Sequence, residues 1–213
     1  MPILVYPIRK KSGEAHWRRC RGGQMKWAVL FIFCPVVTFC PGRSWGAVTP
    51  ENITYAVSEF GADKMMEVLR KNDAQWRTVT AGIARGEERW LNLIPLIGAE
   101  ADEKQAGDVM TALSLALVAD PPATLRVAKS LDIRAQQGAY ALGRFGTDIV
   151  CGVPMTLEYT RQSTLNYYSS VSQSLEKTGD KGAGCLALIN ASMDEIEAEE
   201  QRGKMTWGTK TWP

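Results

Sequence analysis

Residues 73–131 read DAQWRTVTAGIARGEERWLNLIPLIGAEADEKQAGDVMTALSLALVADPPATLRVAKSL, and their pattern decides the fold. Apolar residues recur three and four positions apart, the spacing that lines one face of an α-helix. Trp76, Val79, Thr80 and Ile83 share such a face, on a helix that Asp73 caps and Gly86 stops. A second helix begins at Glu87-Glu88 and turns Trp90, Leu93, Ile94 and Ile97 inward. Pro95 lacks the amide hydrogen a helix interior needs, so it is expected to shorten or kink this helix. Val109, Leu113, Ala116 and Leu117 form the stripe of a long helix over 102–119. Asp120-Pro121-Pro122 predicts a tight turn, and 123–131 is helical again through Leu125, Val127, Ala128 and Leu131.

The same period extends in both directions. Thr49-Pro50-Glu51 opens a helix with a cap, a first-turn proline and an acid that suits the N-terminal dipole. Ile53, Val57 and Phe60 follow at helical spacing, and Gly61 divides this helix from Met65, Met66, Val68 and Leu69. Downstream, 136–145 is a weaker Gly- and Ala-rich helix, 146–154 is irregular, and 155–177 is a long amphipathic helix. Gly179-Asp180-Lys181-Gly182 predicts a turn before the last helix, over 185–202, whose Leu186, Ile189, Met193 and Ile196 face in. No alternating strand pattern of useful length appears. The fold class is therefore all-α, with antiparallel helical hairpins joined by short Gly or Pro turns.

Across residues 73–131 each helix offers a Trp or Leu stripe and a Pro-containing turn reverses the chain, a pattern that resembles stacked helical hairpins of the HEAT-like kind; within it lie the blocks RWLNLIPLI and ALSLALVADPPATLRVA. Together with a later cysteine pair they are similar to uncharacterised small exported helical proteins of Gram-negative bacteria. The resemblance implies a short HEAT-like array that serves as a binding scaffold. It carries over no functional residue, and no strict repeat period accompanies it.

Ahead of this domain lies MKWAVLFIFCPVVTFCPGRSWGA, residues 25–47. A positive start, an apolar run from Trp27 to Cys40 and small residues near Ala47 are the parts of a secretory signal peptide. The run is shorter than the roughly 20 residues a spanning helix needs, although an uncleaved anchor is the alternative. Residues 1–24 carry Arg9, Lys10, Lys11, Arg18, Arg19 and Arg21 without hydrophobic period. They read either as an over-extended start, with Met25 the first residue, or as a disordered basic segment. The expected organisation is thus 1–24, a signal at 25–47, one helical domain at 48–202 and a tail at 203–213.

Cutting after Ala47 changes the charge. The whole chain has a formal net charge of +2, but the remaining 166 residues hold 17 basic and 22 acidic side chains, a net of −5. An acidic domain is a poor phosphate binder, so no nucleic acid partner is expected, and a cationic protein partner is favoured. No stable membrane insertion is expected after signal removal. The one histidine, His16, lies upstream of the signal. Its loss removes Ser-His-Asp and Cys-His catalysis and the usual zinc sites from the mature domain. Neither a cofactor nor a metal is expected. Cys151 and Cys185 remain as an even pair in an exported chain, which predicts a disulfide closing a loop of 34 residues; two buried thiols are the alternative.

Other motifs reduce to helix physics. Ser174-Leu175-Glu176-Lys177 and Lys177-Thr178-Gly179 match the S-x-x-K and K-T-G elements of penicillin-binding enzymes. One Lys177 would have to serve both, so the stretch reads as a helix end with Gly179 as its cap. Asn52-Ile53-Thr54 and Asn190-Ala191-Ser192 match glycosylation sequons but lie inside expected helices. Trp76 and Trp90 read as core. Asp194, Glu195, Glu197, Glu199 and Glu200 form a solvated face or a surface for a cationic partner. Trp207 and Trp212 lie in a tail with no stripe, and either dock back or form a partner-binding strip.

These features converge on one expectation: an exported periplasmic binding protein without catalytic activity, of the immunity or inhibitor type, aimed at a cell-envelope toxin or cell-wall enzyme. The alternative is a structural adaptor or maintenance factor of the envelope. No residue is assigned as catalytic.

Overall fold

Thr49 sets the first helix: its hydroxyl accepts the Asn52 amide at 3.2 Å, and Pro50 fills the first turn, where no amide hydrogen is needed. The structure, a computed structural model, describes residues 47–154 and 157–212. The basic segment, the signal-peptide reading up to residue 46 and Met155-Thr156 lie outside the described residues. Helix α1 (Pro50–Phe60) stops at Gly61, whose φ of 92° breaks the spiral, and α2 (Ala62–Arg70) continues beyond it. Ile53 and Ala56 pack inward with Met65, Met66 and Leu69. Phe60, expected inside, is 55% exposed. The inward stripe ends at Val57 because Gly61 redirects the chain one residue after Phe60.

Helix α3 (Asp73–Ala84) corrects the cap by one residue. Asn72 accepts the Gln75 amide at 3.1 Å, and Asp73 is instead the acid of the first turn. Pro95 splits the expected third helix into α4 (Glu88–Leu91) and α5 (Ile94–Ile97), where it sits in the first turn of the second piece. A 3-10 turn, Gly98–Glu100, leads to α6 (Glu103–Ala119). There Asp102 and Gln105 close a capping box, each side chain accepting the other's amide hydrogen, at 2.8 and 3.4 Å.

Asp120 alone joins α6 to α7 (Pro121–Gln136). Its carboxylate accepts the Ala123 amide at 3.0 Å, so the two prolines form the first turn of α7 rather than a separate loop. Helix α7 outruns its expected end and stops before Gly138, at φ 109°, leaving only a 3-10 helix, Tyr140–Phe145, of the weak helix expected there. The short α8 (Thr147–Val150) is capped from a distance. Asp132 of α7 accepts both the amide and the hydroxyl hydrogen of Thr147, at 3.1 and 2.6 Å.

Helix α9 (Arg161–Thr178) starts later than its amphipathic pattern suggested, because Thr160 caps it by accepting the Ser163 amide at 3.2 Å. The four-residue turn expected next is a single residue. Gly179, at φ 64°, ends α9 and starts α10 (Asp180–Gln201). The two helices run antiparallel, and Tyr168 donates its hydroxyl hydrogen to Asn190 across them at 3.0 Å.

The fold is all-α: no strand forms among the described residues, and one isolated parallel bridge joins Tyr159 to Lys210. Helix α6 is central, packed against α3, α7, α8 and α9. One core cluster runs from Ile53 to Ile189 and includes Trp76, Trp90, Leu113, Leu117, Phe145 and Leu175.

Candidate functional site

Cys151 and Cys185 form a disulfide, with Cα atoms 5.1 Å apart and both residues buried. It ties the chain just after α8 to the first half of α10. That placement fastens the last hairpin to the segment that Asp132 and Thr147 already hold.

The acidic residues of α10 divide into two groups. Asp194, Glu195 and Glu197 are exposed, opposite the buried Ile189 and Met193, while Leu186 and Ile196 are half-buried. Glu199 and Glu200 are half-buried and turned toward the protein itself. Glu199 pairs with Arg202, and Glu200 accepts from Arg161 Nε at 2.7 Å and from the Trp207 indole at 3.2 Å. The Arg161 hydrogen bond is the main reason the Glu200 carboxyl is held below its ordinary range.

Both tail tryptophans contact the domain. Trp212 stacks on Tyr159 with ring centroids 4.2 Å apart and an interplanar angle of 3°, and on Tyr167 at 4.9 Å. Its amide donates to Ser163 Oγ at 2.6 Å. The Thr160 amide donates to the Lys210 carbonyl, and the Lys210 amide to the Glu158 carbonyl, both at 2.9 Å. Lys210 Nζ meets the Glu158 carboxylate at 2.8 Å. Burial pushes the Tyr167 hydroxyl well above the usual phenol range.

A groove of about 1570 Å³ lies beside this tail. Trp76 and Thr80 of α3, Gly107 and Thr111 of α6, Ile149 of α8 and Tyr159 line it. Lys210 reaches it too. The Trp76 indole and Lys104 Nζ both donate to Asp108 Oδ2, at 2.8 and 2.9 Å, which fixes the side chains of this wall. Two of its flanking positions, Val150 and Gly152, bracket Cys151, so the disulfide also steadies the groove's rim.

Sequence reasoning singled out neither the groove nor the tail's acceptor at 158–167. The groove joins segments far apart in the chain. A faint signal did exist for the tail: Gly208, Lys210 and Trp212 alternate with Thr209 and Thr211, which are good strand formers. The S-x-x-K match is structural. Ser174 donates to the Val118 carbonyl at 2.9 Å and Gly179 ends the helix.

Among the described residues no group of three or more His, Cys, Asp or Glu is placed to hold a metal ion, and no helix is long and apolar enough to cross a membrane. No family model, no curated protein and no solved structure matches the chain, so the geometry of the groove, the acidic strip and the tail is what a functional reading has to rest on.

Proposed function

We propose that the mature chain is an exported, periplasmic binding protein without catalytic activity. In this reading it grips a cationic protein partner, in the manner of an immunity protein or inhibitor set against a cell-envelope toxin or cell-wall enzyme. One observation carries the proposal: α10 bears a disulfide anchor at Cys185 near one end and an exposed acidic strip, Asp194, Glu195 and Glu197, near the other. Disulfides persist in oxidising compartments, which supports export. Carboxylates on a well-anchored helix attract cationic surfaces and speed encounter more than they add affinity, which supports a basic partner.

The test is capture of partners from periplasmic extract at low salt with the tagged full-length protein, followed by mass spectrometry. Recovery of a basic toxin or wall-degrading enzyme, released by salt, supports the reading. Recovery of envelope-assembly proteins supports the adaptor alternative. A protein found reduced in the cytosol, with no partner retained, defeats both.

A further inference from the structure

The tail is held by contacts of unusual regularity for a C-terminal segment. Three alternate residues, Gly208, Lys210 and Trp212, contact the domain, the alternation an extended chain produces, with the Lys210 side chain reaching Glu158 from the solvent side. Gly208 lies so close to Glu158 that an added Cβ would sit 2.1 Å from its carbonyl carbon. Lys210 pairs with the Glu158 carboxylate at 2.8 Å, and Trp212 stacks on Tyr159 and Tyr167. Backbone bonds set the register. The Gly208 amide donates to the Tyr159 carbonyl at 3.0 Å, and a parallel bridge joins Tyr159 to Lys210. Main-chain pairing for affinity with alternate side chains read for specificity is how proteins accept an extended peptide as an added strand.

Two features mark the occupant as exchangeable. Gly203, at φ 68°, ends α10 in a glycine cap, with the Lys204 amide donating to the Glu199 carbonyl at 3.0 Å, so release of the segment beyond it does not require α10 to unwind. The Trp212 indole Nε1 is buried and finds no hydrogen-bond partner among the described residues. A buried polar group left unpaired weakens the hold.

We propose that Glu158, Tyr159, Ser163 and Tyr167 form a peptide-binding cleft that reads Gly-x-Lys-x-Trp in an extended protein segment, and that the chain's own tail is its resident, exchangeable occupant. Glycine is required because the backbone of Glu158 leaves no space, lysine because a carboxylate waits, and an aromatic residue because two phenol rings flank its seat. The cleft stands independently of the toxin or adaptor reading, since its ligand is defined by its own contacts.

The probe is a fluorescein-labelled peptide of residues 204–212, titrated by anisotropy into the full-length protein and into its Trp212→Ala variant. A closed tail reduces apparent affinity by the fraction of open molecules, so the variant should bind about tenfold or more tightly than the unmodified chain. A peptide with Val in place of its Gly208 should lose that binding. Equal binding of both peptides, or equal binding by both chains, overturns the proposal. Should Trp212→Ala fail to fold, hydrogen exchange in the unmodified chain decides. Excess peptide should speed exchange at the chain's own Lys210 amide while Thr160 stays protected, and no change at Lys210 overturns the cleft.

Discussion

Gly82 and Gly107 are both helical glycines, and alanine should have opposite effects at the two. In a helix interior, Gly→Ala usually stabilises by about 0.5–1 kcal/mol because it removes freedom from the unfolded chain. Gly107, on α6 in the groove lining, has nothing within 4 Å of an added Cβ, so Gly107→Ala should gain about 0.4–1 kcal/mol. Gly82, on α3, is covered by the Trp90 ring, with an added Cβ 2.4 Å from two ring carbons. Both partners are buried, so the indole cannot move aside without displacing core neighbours. Overpacking a core costs about 1–3 kcal/mol, more than the propensity gain, so Gly82→Ala should destabilise. Urea unfolding of the two variants, at unchanged slope, measures both signs. Two shifts in the same direction would show that Trp90 does not constrain Gly82.

At the scale of elements, the disulfide and the tail clasp are fastenings that local helix patterns do not supply. Replacing Cys151 and Cys185 with serine should cost about 2–5 kcal/mol, because the unfolded chain regains the freedom of a 34-residue loop. A matching loss on adding reductant to the unfolding experiment checks it; insensitivity to reductant would mean the bond holds nothing the core does not. The clasp should depend on pH at both ends. Glu200 is held below the ordinary 4.5, chiefly by its hydrogen bond from Arg161. Its contribution is therefore complete above 4.5 and lost as pH falls through the lowered value. Lys210 is held above the ordinary 10.5 by the Glu158 carboxylate, so its contribution is complete below 10.5 and lost as pH rises past the raised value. Lys210 is exposed and Glu200 only half-buried, so solvent screens both pairs and the effect should be a small loosening rather than unfolding. Protection of the Thr160 amide should fall on both limbs, and Glu200→Gln should abolish the acid limb only. An acid limb unchanged in that variant would assign it to another carboxylate.

At the scale of the whole molecule, what was legible was what repeats along the chain. Val109, Leu113, Ala116 and Leu117 announced α6 because each helical turn repeats the same apolar choice, and all four are buried. The Asp-Pro-Pro pattern marks Asp120 as part of a turn, but its double duty, ending one helix and capping the next, depends on carboxylate geometry that composition does not encode. The clasp was harder still, since Trp212 finds Tyr167 only after α9 and α10 have folded back, and the acidic strip was visible while its split into exposed and paired members was not. Long-range closure of this kind also governs how the molecule should unfold. Helix α10 rests mainly on α9, as the second arm of a separable hairpin would. Yet Val171 and Leu175 of α9 and Ile189 of α10 belong to the same buried cluster as Ile53 and Trp76, and Ser174 bonds across to the end of α6. Detaching the hairpin would expose the core face of α6 and α7 to water, at about 25 cal/mol for each Å² of apolar surface. A peeled intermediate is therefore too costly to accumulate, and urea should produce one cooperative transition, with far-UV circular dichroism and tryptophan fluorescence coincident. Reductant should move that transition to lower urea without dividing it. If the reduced protein instead loses helix signal in two steps, with Trp207 and Trp212 reporting the first and the buried Trp76 and Trp90 the second, the hairpin is an independent unit and the disulfide is what makes the fold one domain.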